Sequence, residues 1–141
     1  MNKRLIILLA LTVSSCSTCP AGVVAETIWH EARGESKAGQ KAVASVIWNR
    51  AKGNPQNLES VCLARKQFSC WNAGYKPVKP RNGQERAILA EFEALERHMK
   101  DGTFQKSGQW THYHTRNVNP AWSKTMKNRT VIGNHIFGNT K

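Results

Sequence analysis

Trp29-His30-Glu31-Ala32-Arg33-Gly34-Glu35-Ser36 joins two runs of helical periodicity and decides how the chain begins to fold. Upstream, Val24, Ile28 and Ala32 recur at helical spacing, Pro20 suits a first-turn position and Gly34 suits the stop, so the pattern predicts a first helix over 21–32. Downstream, Ser36 can cap a second helix over 37–51, in which Ala38, Ala42, Val43, Val46 and Ile47 form a narrow buried stripe. Small residues there permit close packing. Gly53 and Pro55 then end the helix.

Residues 54–82 carry Pro55, Pro77, Pro80 and scattered Gly, which reads as a long irregular segment of the kind that often carries function. Asn82 with Glu85 makes a capping-box-like start for a third helix running to Lys100, with Ile88, Leu89, Phe92, Leu95 and Met99 on its core face. Asp101-Gly102 terminates it. Beyond that point Trp110-Thr111-His112-Tyr113-His114 has the look of a short strand, Asn119-Pro120 opens a helical turn, and 130–137 reads as a second strand around a Gly133-Asn134 turn. The expected fold class is α+β, mainly α, with a small antiparallel sheet. The sequence contains no internal repeat and no Gly-rich phosphate loop of the Walker or Rossmann kind.

At 141 residues the chain is the size of one compact domain. Its formal net charge of +12 points to a polyanionic partner or an anionic surface, and nucleic acid, acidic lipid and bacterial wall polymer all qualify. The start supplies a further constraint: Met1-Asn2-Lys3-Arg4 precedes the apolar run 5–13, which is the layout of an export signal. Nucleic-acid binding fits the charge but conflicts with export. Val13-Ser14-Ser15-Cys16 resembles a bacterial lipoprotein box, in which Cys16 would be lipidated. An ordinary cleaved signal peptide and an uncharged membrane anchor over 5–25 are the alternatives. We therefore divide the chain into a leader at 1–22 and one domain at 23–141. Of the four cysteines, Cys62 and Cys70 lie in that domain, and an oxidising compartment predicts a disulfide between them.

Two carboxylates beside a helix break can face a cleft while the helix behind them stays packed. If the first helix continued through Glu31, Glu35 would lie one turn further on the same face, and each carboxylate would raise the other's pKa. Ile28 and Trp29 would add desolvation. These are the conditions for a general acid. The plainer reading is that Glu31 is a solvated helix end paired with Arg33 or Lys37.

Glu31-Ala32-Arg33-Gly34-Glu35, Gly39-Gln40-Lys41-Ala42-Val43-Ala44 and Val46-Ile47-Trp48-Asn49-Arg50 together resemble the SleB-type cell-wall hydrolase family in order and spacing. Gln67-Phe68-Ser69, the Tyr113 strand with Asn117 and Pro120, and Ile132-Gly133-Asn134-His135-Ile136-Phe137 extend the resemblance over 23–138. It implies a lysozyme-like, mainly helical catalytic domain that cuts the glycan strands of peptidoglycan. The resemblance also implies Glu31 as the catalytic residue, and a supporting or substrate-binding role for Glu35, Gln40, Asn49 and Arg50. The leader points to the periplasm or cell envelope, with membrane anchoring an alternative, and the chain is expected to act as a monomer without a cofactor.

With Asp101 the only aspartate and the remaining glutamates mostly on the 82–100 helix, a second catalytic carboxylate is hard to find. One acid suffices for a lytic transglycosylase, whereas Glu35 in the same cleft would permit hydrolysis. Tyr113, His112, Asn117 and Trp71 are the candidate substrate contacts, with Trp110 and Trp122 as further stacking surfaces. Core filling is the alternative for each aromatic. His112 and His114 stand on one face of a strand at a spacing that can hold zinc with His30 or His135, and Cys70 with a histidine could be a nucleophile. Either would make an amidase or endopeptidase. Outside enzymology, the chain could be a basic binding protein of the envelope.

Overall fold

The computed structural model describes residues 21–72 and 74–140. Residues 1–20 of the expected leader, including Cys16, lie outside them. Among the described residues no helix is long and apolar enough to cross a membrane.

Helix α1, Val23–Ala32, is enclosed on nearly every side: Val24, Ala25, Ile28, Trp29 and Ala32 belong to the core. Its N-cap is Gly22, which has no side chain to offer the free N–H groups. The cap comes instead from a distant segment, because Glu96 accepts a hydrogen bond from the Ala25 amide at 2.9 Å. Gly22 is needed for that approach: a Cβ there would collide with the Glu96 carboxylate. Helix α2, Lys37–Arg50, starts at Ser36, whose hydroxyl accepts from the Gly39 amide at 3.3 Å. Ala42, Val43, Ala44, Val46 and Ile47 are buried along it. Ala38 is exposed, against the expected stripe, because it shares the outward face with Lys37 and Lys41.

The segment expected to be irregular contains a 3-10 turn at Pro55–Asn57, a short helix α3 at Leu58–Leu63, and a second 3-10 turn at Ser69–Trp71. Leu58 and Cys62, one helical turn apart, are fully buried and anchor α3. Helix α4, Gly83–Lys100, begins at Asn82, whose side chain accepts from the Glu85 amide at 2.9 Å as expected. Phe92 and Met99 are fully buried while Ile88, Leu89 and Leu95 are half-buried, so the helix lies over the core on one face. Phe92 meets Trp29 of α1 edge-on at 6.4 Å.

Three antiparallel strands form one sheet in the order β1-β3-β2: β1 is His112–Thr115, β2 is Lys127–Ile132 and β3 is His135–Asn139. The stretch expected as one strand is therefore a hairpin, and its second arm occupies the centre of the sheet. Tyr113 pairs with Phe137 and His114 with Ile136. The hairpin turn needs Gly133 twice over, since its φ is +58° and a Cβ would strike the Glu35 carboxylate.

Glu26 faces inward on α1 at 5% exposure, and its Oε2 has no hydrogen-bond partner. Burial first, and the Glu96 charge second, push its pKa above the usual glutamate value. A carboxyl group raised in this way makes ionisation costly in the folded state. The cost is absent below the unfolded pKa of about 4.3 and complete above the raised folded one. Glu26→Gln is expected to stabilise the domain by about 1 kcal/mol at pH 8, or about 4 °C in Tm. Thermal melts from pH 8 to pH 4 check this, since the gain should shrink as the pH falls.

Candidate active site

Glu31 occupies the next-to-last position of α1, where the helix stops being enclosed. Its Oε2 accepts a hydrogen bond from the Tyr113 hydroxyl at 2.7 Å, across 82 residues of sequence. Strand β1 brings Tyr113 there, and β3 fixes the ring: His135 meets it edge-on at 5.1 Å and Phe137 packs at 5.4 Å. Burial, then the charge and hydrogen bond of Glu31, hold the Tyr113 phenol well above the usual tyrosine pKa. It therefore stays a proton-bearing donor toward Glu31 at neutral pH.

Arg50, at the end of α2, donates from Nε to the Thr111 carbonyl at 2.7 Å and lies 5.4 Å over the Phe68 ring. Burial lowers its pKa, while Tyr113, Cys62 and Glu31 oppose the shift. Its Nη1 is buried without a partner. Arg50 and Tyr113 line a cavity of about 380 Å³ together with Lys66, Gln67, His112 and Trp122. Trp71 stands on the loop side of α1, donating from Nε1 to Thr27 Oγ1 at 2.8 Å and stacked on Tyr75 at 4.5 Å. Sequence reading missed Tyr75; the available signal was an aromatic four residues after Trp71 in a loop rich in Gly and Pro.

Glu35 does not continue the face of Glu31. The helix ends at Ala32, and the chain turns so that Glu35 Oε2 accepts from the Asn134 amide at 3.2 Å, with Oε1 3.7 Å from His135 Nδ1. The carboxylate pins the β2–β3 turn. Gln40 is buried, and its Nε2 donates to the Glu35 carbonyl at 3.0 Å. Gln40 thus braces the backbone of Glu35, whose carboxylate holds the turn just before His135. Asn49 Nδ2 likewise donates to the Gly108 and Trp110 carbonyls at 2.9 and 2.8 Å, fixing the approach to β1. Asn117 is exposed in the turn after β1, with no hydrogen bond to the Glu31–Tyr113 pair among the described residues.

The two strand histidines share a face, as their spacing requires, and Trp122 covers it at 5.4 Å from the His112 ring and 5.7 Å from His114. His112 has a lowered pKa from burial and from Arg50. His114 is buried, with Nδ1 2.9 Å from the Thr115 carbonyl. Among the described residues no group of three His, Cys, Asp or Glu side chains converges to hold a metal.

Cys62 and Cys70 are separate free thiols, so the expected bridge is not formed. Cys62 faces inward from α3 within hydrogen-bond reach of Thr27, and burial pushes its pKa to about 12. Cys70, half-buried in the Ser69–Trp71 turn, is pushed to about 11 by burial and then by the charge of Glu31. Neither is a thiolate at neutral pH, which disfavours a cysteine nucleophile.

Two solved structures share this fold. The catalytic domain of the Bacillus cereus SleB protein superposes with a TM-score of 0.58 at 24% identity, over 82% of this chain and 86% of that one. The catalytic domain of the germination-specific lytic transglycosylase SleB from Bacillus anthracis gives the same score and identity, over 82% of this chain and 90% of that one. A spore cortex-lytic enzyme of Halalkalibacterium halodurans is 28% identical over 136 residues, which is 90% of this chain and 39% of that protein. The chain thus spans about two-fifths of its curated relative. Residues 34–138 match the family described as Cell Wall Hydrolase, a stretch that begins just after Glu31 and takes in Tyr113. By that match the chain belongs to the cell wall hydrolase family.

Proposed function

We propose that the chain cleaves the β-1,4 bond between N-acetylmuramic acid and N-acetylglucosamine in peptidoglycan, acting as a lytic transglycosylase with Glu31 as its one general acid and base. The hydrogen bond from Tyr113 to Glu31 carries this reading, because it orients one carboxylate while the neighbouring Glu35 is engaged with Asn134 and His135. Glu31 gives its proton to the glycosidic oxygen as that bond breaks. It then takes the proton of the muramic acid C6 hydroxyl as the C6 oxygen bonds to C1, which closes a 1,6-anhydro ring and restores the acid. No second carboxylate is required, in contrast to hydrolysis by an acid–nucleophile or acid–base pair.

The setting follows from the same reading: an exported monomer working in the periplasm or envelope, held there by its leader and drawn to the anionic wall by its surplus of Lys and Arg. Trp71, with Tyr75 behind it, supplies a flat surface for sugar stacking.

Mass spectrometry of digested sacculi tests the reaction. Anhydro-muramic ends are the expected product; reducing ends would mean hydrolysis, and released stem peptides an amidase. Tyr113→Phe removes the donor to Glu31 while keeping the ring between His135 and Phe137. It is expected to lower kcat about 10- to 100-fold, the usual worth of a hydrogen bond to a charged group, with KM and Tm little changed. Equal kcat for the two proteins would remove Tyr113 from the mechanism.

A further inference from the structure

Beside the Glu31–Tyr113 pair, the cavity of about 380 Å³ has a chemistry that acid catalysis on a glycosidic bond does not call for. Its wall contains the cations Arg50 and Lys66 and the neutral donors Gln67 and Thr140, and no carboxylate. His112 also lines it, with a pKa lowered by burial and by Arg50. The Arg50 guanidinium is held in place by Nε on the Thr111 carbonyl, with Nη1 enclosed in the protein. A guanidinium lining a cavity beside a lysine is matched by a carboxylate, which can accept two N–H groups at once. Glu31 is the one carboxylate whose charge bears on Arg50, and Tyr113 already holds it.

We propose that this cavity is a carboxylate-accepting subsite, filled by the lactyl arm of the muramic acid or by the acidic stem peptide that the arm carries. The assignment rests on the glycan-cleaving reading given above and adds a substrate preference to it. Trp122 roofs the cavity at 39% exposure, giving the arm an apolar side as well as a charged one. At about 380 Å³ the space exceeds what one carboxylate needs and falls in the lower range of small-ligand pockets, enough for a few groups of a peptide. The enzyme then distinguishes muramic acid from plain N-acetylglucosamine by charge.

The test compares three glycan strands: peptide-bearing, peptide-stripped with a free lactyl carboxylate, and strands with every carboxyl amidated by carbodiimide coupling. For the wild type, kcat/KM on amidated strands should fall about tenfold below the best carboxylated substrate, and the better of the first two identifies which carboxylate is bound. In Lys66→Glu that preference should collapse to about one, while Lys66→Arg should retain it. Equal cleavage of carboxylated and amidated strands, or a Lys66→Glu loss of the same factor on all three, overturns the subsite. Binding of soluble muropeptides to Glu31→Gln reads the subsite without catalysis. Charge-independent binding there overturns the subsite even if the enzyme cuts glycan. Charge-dependent binding by a protein whose wild type cuts no glycan would sustain the subsite and refute the glycosidase.

Discussion

Glu31→Gln is expected to abolish the clearing of exposed peptidoglycan, lowering kcat by about 10³-fold or more, the upper part of what one general acid supplies. The substitution is nearly isosteric, and the amide oxygen can still accept the Tyr113 hydroxyl that now reaches Glu31 at 2.7 Å. Folding and substrate capture should therefore survive, so the variant should melt within a few degrees of the wild type and sediment with sacculi. What disappears is the proton for the leaving oxygen. Turbidity assays paired with a thermal melt separate the outcomes. Residual activity above a tenth of the wild type would mean that another group donates the proton. Undiminished activity is what an amidase would give, and a non-catalytic binding protein of the envelope would clear nothing even as the wild type.

The largest expected effect on stability is at Phe92. Its ring is fully buried on α4 and meets Trp29 of α1 edge-on, at the face that closes the helical core. Phe92→Ala removes that ring and leaves a cavity that rigid neighbours cannot refill, at about 3–5 kcal/mol. Domains of this kind hold about 5–15 kcal/mol in total, so the loss removes a large fraction of the stability. Phe92→Leu keeps most of the volume and should lose less than half as much. Urea titration reads both, with the midpoint falling and the slope unchanged. A loss under 1 kcal/mol for the alanine variant would mean that α4 does not seal the core. Trp29 stands two residues before Glu31, so activity in Phe92→Ala should fade at lower temperature than the unfolding of the whole domain predicts.

Local features with a repeated period were readable in the sequence. Val24, Ile28 and Ala32, the Ser36 cap, and Asn82 with Glu85 located α1, α2 and the start of α4, because each depends on neighbours within four residues. Glu31 at a helix end was legible for the same reason. Helix α3 was not: six residues between two 3-10 turns give Leu58 and Cys62 a single repeat, too little to distinguish from a loop. The direction of Glu35 was misjudged because the local pattern allows another helical turn, whereas the Asn134 amide, 99 residues away, provides the competing partner. The separate thiols of Cys62 and Cys70 have the same origin, since spacing in sequence says nothing of Thr27 beneath α3. The partnership of His112 and His114 with Trp122 was hidden in the same way, while their common face was visible in the alternation of the strand.

The dependence of α1 on Glu96 of α4 has a consequence for biosynthesis. A ribosome that has released only residues up to 82 has made Glu31, yet neither the carboxylate that fastens the start of its helix nor the tyrosine that holds its side chain has emerged. The Glu31–Tyr113 pair is thus withheld until Tyr113 has emerged, and a fragment truncated before α4 carries Glu31 without the groups that hold it.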